Sequence, residues 1–194
     1  MIKKIVILLV LSSQLMLTGC LGIGEPSVDV AQIPPNYKIY TSDEFNFIHY
    51  LDWEITEKKN LPEGFAPETQ IAIRNNLKDK LPIANVVILK TELPAPVDVV
   101  EYGKQVLNKS KKDLVNFSLE NQEQIENSVA GVVVPAYYLV FTGKVDAKRD
   151  TIRYHQKIIV NSNIAYIVTF AAAVDEDEIV LDKGKTLLKS FLVK

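Results

Sequence analysis

Cysteine occurs once in this 194-residue chain, at Cys20, histidine twice, at His49 and His155, and tryptophan once, at Trp53. A single thiol excludes an intrachain disulfide, so the fold must rest on its core. The two histidines lie far apart in sequence, without the short spacings of a zinc site. A basic surplus is also missing: 22 Lys and Arg face 24 Asp and Glu, for a net charge of −2. That balance gives no support to nucleic-acid binding. Internal repeats and low-complexity tracts are absent. With 47% apolar residues, the chain still has enough material for one ordinary core.

The first residues read as an address. Lys3 and Lys4 precede the apolar run Ile5–Leu17, which Ser12, Ser13 and Gln14 interrupt. The run is shorter than the roughly 20 apolar residues a membrane-spanning helix needs, and a polar stretch with prolines follows it at once. Leu17-Thr18-Gly19-Cys20 is similar to the bacterial lipobox. The resemblance implies a diacylglyceryl group on the Cys20 sulfur, cleavage before Cys20, and further acylation of the new amine. Several acyl chains hold a protein durably, whereas one holds it marginally. Residues 1–19 are therefore expected to be a lipoprotein signal peptide, and 20–36 the lipidated cysteine with a tether rich in Gly and Pro. Loss of Lys3 and Lys4 takes the mature balance to −4. The implied location is the cell envelope, facing the periplasm or the exterior. Leu21, rather than Asp, after the cysteine implies the outer membrane where the host has one.

A single domain is expected over residues 37–194. Phe45–Tyr50, Gln70–Arg74 and Ala84–Thr91 have strand composition, with Glu57–Thr69 a polar loop. Asp98 and Glu101 have capping-box spacing, and Val99, Gly103, Val106 and Leu107 then line one face of a helix reaching about Val115. Ile125 and Val129 suggest an edge strand. Three longer strands follow, Val134–Thr142, Thr151–Val160 and Ile164–Ala172, with Asn161-Ser162-Asn163 as a hairpin loop. In the middle strand Ile152, Tyr154, Ile158 and Val160 alternate with Arg153, His155 and Lys157, which predicts one covered face and one partly wet face. Asp175 and Glu178 repeat the capping spacing before a second helix, with Ile179, Val180, Leu187 and Phe191 inward. The expected class is α+β, a mainly antiparallel sheet with helices packed on it.

Several of these stretches resemble the PsbP-like family, which includes the DcrB-type envelope lipoproteins. The carriers are the aromatic strand from Phe45 leading to Trp53, and Val86–Leu89 before a Pro-led helix with Glu101-Tyr102. Further matches are Gly131 before Ala136-Tyr137-Tyr138, the hairpin Val160–Val168, and the closing Ser190-Phe191. Leu51 and Asn163 stand where the family often has Pro and Gly. The resemblance implies a PsbP-like layered sandwich serving as a non-enzymatic, membrane-associated binding domain. Nothing matches the N-terminal extension of photosynthetic PsbP, so the photosynthetic role is not implied.

Catalytic signatures do not emerge. Ser110-Lys111-Lys112-Asp113 and Ser128-Val129-Ala130-Gly131 lack the spacing of a hydrolase nucleophile. The run Asp175-Glu176-Asp177-Glu178 offers carboxylates that calcium favours, but a helix cap accounts for it. Lys104, Lys109, Lys111 and Lys112, with Lys144, Lys148 and Arg149, form a basic set suited to solvent, headgroups or a partner. Trp53 is expected in the core. The sequence thus predicts a non-enzymatic lipoprotein without cofactor or metal, held to lipid through Cys20 and gripping an envelope protein partner. A small-ligand or calcium-binding lipoprotein, and an envelope hydrolase, are the alternatives.

Overall fold

A computed structural model describes residues 35–75 and 82–194. Cys20, the signal and nearly all of the tether lie outside the described residues, as do residues 76–81. The strands are β1 (Tyr37–Thr41), β2 (Phe45–Tyr50), β3 (Trp53–Glu57), β4 (Thr69–Asn75) and β5 (Asn85–Glu92), then β6 (Val115–Val129), β7 (Val132–Lys144), β8 (Ile152–Asn161), β9 (Ile164–Ala173) and β10 (Leu192–Val193). Two helices interrupt them, α1 (Val99–Asp113) before β6 and α2 (Glu178–Ser190) before β10.

The strands form one sheet in the order β1-β2-β10-β6-β7-β8-β9-β5-β4-β3. The expected α+β class, with helices packed on a mainly antiparallel sheet, is corrected here. The described chain is 53% strand and 20% helix, and the sheet is mixed, a curled ten-stranded half-barrel. The parallel element is β10, which runs alongside β6 at Val193–Val129 while pairing antiparallel with β2. Two residues of β10 thereby join β1 and β2 to the rest of the sheet.

Curling follows from where β2 and β3 go. The turn Leu51-Asp52 connects them directly, yet they lie near opposite ends of the strand order and do not pair. The sheet must bend round for a two-residue turn to span that gap. The outermost strands meet across it, where Tyr40 Oη on β1 donates to Glu57 Oε1 on β3 at 3.1 Å. The main core fills the concavity. Phe45 and Phe47 of β2 meet Ile73 of β4, Val86 of β5, Phe170 of β9 and Leu187, Leu188 and Phe191 of α2. A smaller core on the outer face joins Val99 and Leu107 of α1 to Tyr137, Leu139 and Phe141 of β7 and Ile158 of β8.

Two helix details refine the sequence reading. Asp98 caps α1 as expected, accepting from Val100 N at 2.9 Å and Glu101 N at 3.2 Å. In α2 the cap is Asp177, accepting from Ile179 N at 2.8 Å, two residues beyond the expected Asp175. The inward face is then Val180, Gly184, Leu187 and Leu188, and Ile179 points to solvent. Gly184 lets α2 lie on the Phe170 ring, which a built Cβ would meet at 2.4 Å. Gly184→Ala is expected to destabilise by up to about 2 kcal/mol, the overpacking cost of about 1–3 kcal/mol less about 1 kcal/mol gained in helix propensity. Urea unfolding checks this; an unchanged midpoint would mean the ring yields freely.

Candidate functional site

The polar residues of β8 build the most unusual environment in the molecule. Strand alternation puts His155, Lys157 and Ile159 on the concave face, and Tyr154, Ile158 and Val160 on the face toward α1. The expectation of a wet face is wrong: His155 is 6% exposed and Lys157 3%. A central strand in a curled sheet has no solvent side once α2 occupies the concavity and α1 the outer surface.

Lys157 meets the end of α2. Its ammonium donates to the carbonyls of Leu188 at 3.1 Å, Lys189 at 3.3 Å and Phe191 at 3.1 Å. These oxygens belong to the helix C-terminus, where the last carbonyls lack intrahelical partners and carry the negative end of the dipole. Burial pushes the Lys157 ammonium down to about 8. At neutral pH it therefore keeps the charged form, whose three N–H groups match three acceptors. Ser190 fastens the same end, donating from Oγ to Leu187 O at 3.0 Å and accepting from Ile48 N of β2 at 2.9 Å. The Ser190-Phe191 pair thus has a physical role: a polar link to β2 beside a ring with no exposure.

Beside Lys157, His155 Nδ1 and Tyr138 Oη are 2.8 Å apart, and the imidazole stacks on Phe170 with centroids at 5.8 Å. His155 Nε2 is buried without a hydrogen-bond partner. Burial first, then the positive charges of Lys185 and Arg153, lower its pKa to about 4, so the ring is neutral. Burial also raises the Tyr138 hydroxyl to about 12.

A cleft of about 260 Å³ opens over these groups between β6 and α2. Its floor holds Tyr138, Ile125, Leu188 and Lys157, and its rims Glu123 and Glu126 on one side and Lys185 and Lys189 on the other. A charged rim over an apolar floor suits contact with a polypeptide or a small amphiphile. The protonatable groups beneath it are engaged in holding the fold: Lys157 by helix carbonyls, His155 by Tyr138.

The remaining sequence candidates do not converge there. His49 lies on β2, with Nδ1 2.9 Å from Tyr50 O, and burial lowers its pKa. It makes no ring contact or hydrogen bond with His155. Of the acidic run, Asp177 caps α2 and Glu176 Oε1 accepts from Asp177 N at 3.0 Å. Among the described residues, no three His, Cys, Asp or Glu side chains group as a metal site would require. Lys109 pairs with Asp113 along α1, Lys111 lies over the Phe117 ring, and Arg149 lies 3.7 Å from Asp146 in the β7–β8 loop. Trp53 is buried against Phe170, as a core residue should be. Lys157 was missed as a site residue. The available signal was Ile159, an apolar residue sharing a face with His155 and Lys157.

No family model matches the chain, and no curated protein matches it in sequence. Solved structures do match. The solution structure of cyanobacterial PsbP (CyanoP) from Synechocystis sp. PCC 6803 covers 87% of this chain and 99% of its own, at 15% identity and a TM-score of 0.59. The crystal structure of LpqN, involved in cell envelope biogenesis of Mycobacterium tuberculosis, covers 81% of this chain and 90% of its own, at 14% identity and a TM-score of 0.54. At these identities the likeness concerns the fold alone.

Proposed function

We propose that this PsbP-like domain is the body of an envelope lipoprotein, anchored through acylated Cys20, that binds or stabilises an envelope protein assembly without catalysing a reaction. The fold is PsbP-like, as the likeness to CyanoP and LpqN indicates. The observation that carries the reading is the use of the buried titratable groups. An active site needs an acid, base or nucleophile free to meet substrate. Here Lys157 donates to three carbonyls of its own chain, and His155 is bonded to Tyr138 and stacked on Phe170. Support for the location comes from the lipobox-like Leu17–Cys20. No described helix is long and apolar enough to cross a membrane.

The anchor is tested by fatty-acid labelling in cells. Wild type is expected to incorporate label and Cys20→Ala none, with Cys20→Ala leaving the membrane fraction. Equal labelling of both would sink the anchor. For the partner, in-cell crosslinking from Lys185 and Lys189 is expected to recover one envelope protein repeatedly. Recovery of the monomer alone, together with a thermal shift on adding calcium or a metabolite, would favour a ligand-binding role instead.

A further inference from the structure

We propose that the open edge of β6 takes up an extended segment of a partner protein as an added strand, its apolar residues turned into the cleft beside α2 and its basic residues turned out beside Glu126. This deepens the partner reading of the cleft and rests on it. The edge is open because the slot beside β6 belongs to β10, which fills it only where Val193 meets Val129. The chain reaches β10 from α2. Upstream of Val129, β6 therefore faces the end of that helix across the cleft of about 260 Å³.

The phase of the ladder identifies the outward backbone groups. β6 and β7 are joined by the two-residue turn Ala130-Gly131, with φ of 48° and 79°. Such a hairpin closes on a hydrogen-bonded pair, here Val129 and Val132. Every second pair repeats that geometry, so Asn127, Ile125 and Glu123 bond across to β7. Gln122, Gln124 and Glu126 then turn their N–H and C=O groups away from it. Ala130 N, in the same phase, donates to Val193 O at 3.1 Å, as an outward group must. No loop backbone among the described residues takes up the outward groups of Gln122, Gln124 and Glu126. The register is unbroken from Asn121 to Val129, with both shifts upstream. Bulges, prolines and lysines are the devices that discourage pairing at an edge, and this stretch has none of them.

Side chains select the occupant. Alternation places Glu123 and Ile125 on the concave side with Tyr138, and Gln124 and Glu126 on the outer side. An added strand sends alternate residues to the same two sides. Its inward residues meet Ile125, Tyr138 and Leu188, with Lys157, Lys185 and Lys189 around them, surroundings that accept apolar groups and repel cations. Its outward residues lie beside Glu126, on a strand with three glutamates and no Lys or Arg. Opposite charges across a strand pair stabilise it and like charges destabilise it. A second copy of β6 is thereby disfavoured, since both strands would be acidic. The glutamates act as a filter, turning away acidic edges and admitting a basic one.

The test follows amide exchange by NMR in the full, acylated chain in detergent micelles, with the peptide acetyl-Lys-Val-Lys-Val-Lys-Val-amide as probe. Saturating peptide is expected to slow exchange at Gln122, Gln124 and Glu126 by about tenfold or more, and to leave Ile125, already bonded to β7, within about twofold. Gln124→Pro removes an outward donor without removing a bond to β7, and should abolish the slowing while Ile125 stays protected. Binding that leaves the three outward amides fast overturns strand addition, as does no binding up to the solubility limit of the peptide. Equal slowing by the Glu-Val counterpart overturns the basic occupant. In cells, a partner crosslinked equally to wild type and Gln124→Pro leaves the partner reading standing and refutes the added strand. Recovery of no partner with either removes the partner reading, while the peptide experiment still decides the edge.

Discussion

Lys157→Met is expected to lower the unfolding free energy by about 3 kcal/mol. Methionine keeps most of the apolar stem but removes all three donors, leaving the carbonyls of Leu188, Lys189 and Phe191 without their partner. Hydrogen bonds from a charged donor contribute about 1.5–3 kcal/mol each, and an abandoned buried acceptor costs about as much. Relief from burying an ammonium offsets part of the loss. That burial cost is real, since it pushes Lys157 down to about 8. For a chain of this length the net change corresponds to a Tm drop of about 6–12 °C. Lys189→Met, on the solvent rim of the cleft, should change stability by less than about 0.5 kcal/mol. If Lys157→Met proved as stable as wild type, water in the cleft would be serving the helix end, and the buried charge would not be a net stabiliser.

Acid should destabilise the fold through His155. Its folded pKa, about 4, lies below the ordinary 6.5, so between those values the unfolded chain binds a proton that the folded chain refuses. The unfolded state then holds more protons, and stability rises with pH across that window. The contribution is complete above about pH 6.5 and is lost as pH falls toward 4, amounting to about 2–3 kcal/mol. His155→Gln retains an acceptor for Tyr138 and cannot titrate. The wild-type-minus-variant difference, measured by urea unfolding from pH 7 to pH 4, should therefore shrink by that amount. His49 and the carboxylates are common to both proteins and cancel. Parallel pH profiles would show that the imidazole is hydrated rather than sealed.

Much of the secondary structure was legible because it is written locally. β2, β4, β5, β7, β8 and β9 follow from branched and aromatic composition within one or two residues of their ends. The start of α1 follows from Asp98, whose side chain needs only the next turn of backbone to act as a cap. The errors arose where position depends on distant partners. β6 reads as a short edge around Ile125, yet runs from Val115, because its long glutamate-rich stretch is held by pairing with β7 rather than by its own propensity. β3, between the Leu51-Asp52 turn and the polar loop from Glu57, carries no strand signal of its own, since its pairing to β4 is invisible from five residues.

The site divides along the same line. The lipobox-like Leu17–Cys20 depends on contiguous residues alone, and so does the absence of a disulfide. His155 and Lys157 look like solvent residues on an alternating strand, and only the tertiary structure places them in the core. Their burial depends on α2 ending over β8 and on two residues of β10 closing the sheet around it. Sequence by itself determined the composition, the cap of α1 and most strands, because those are local preferences of the chain. Which faces are dry was decided by the curl of the sheet, because burial depends on residues far apart in sequence.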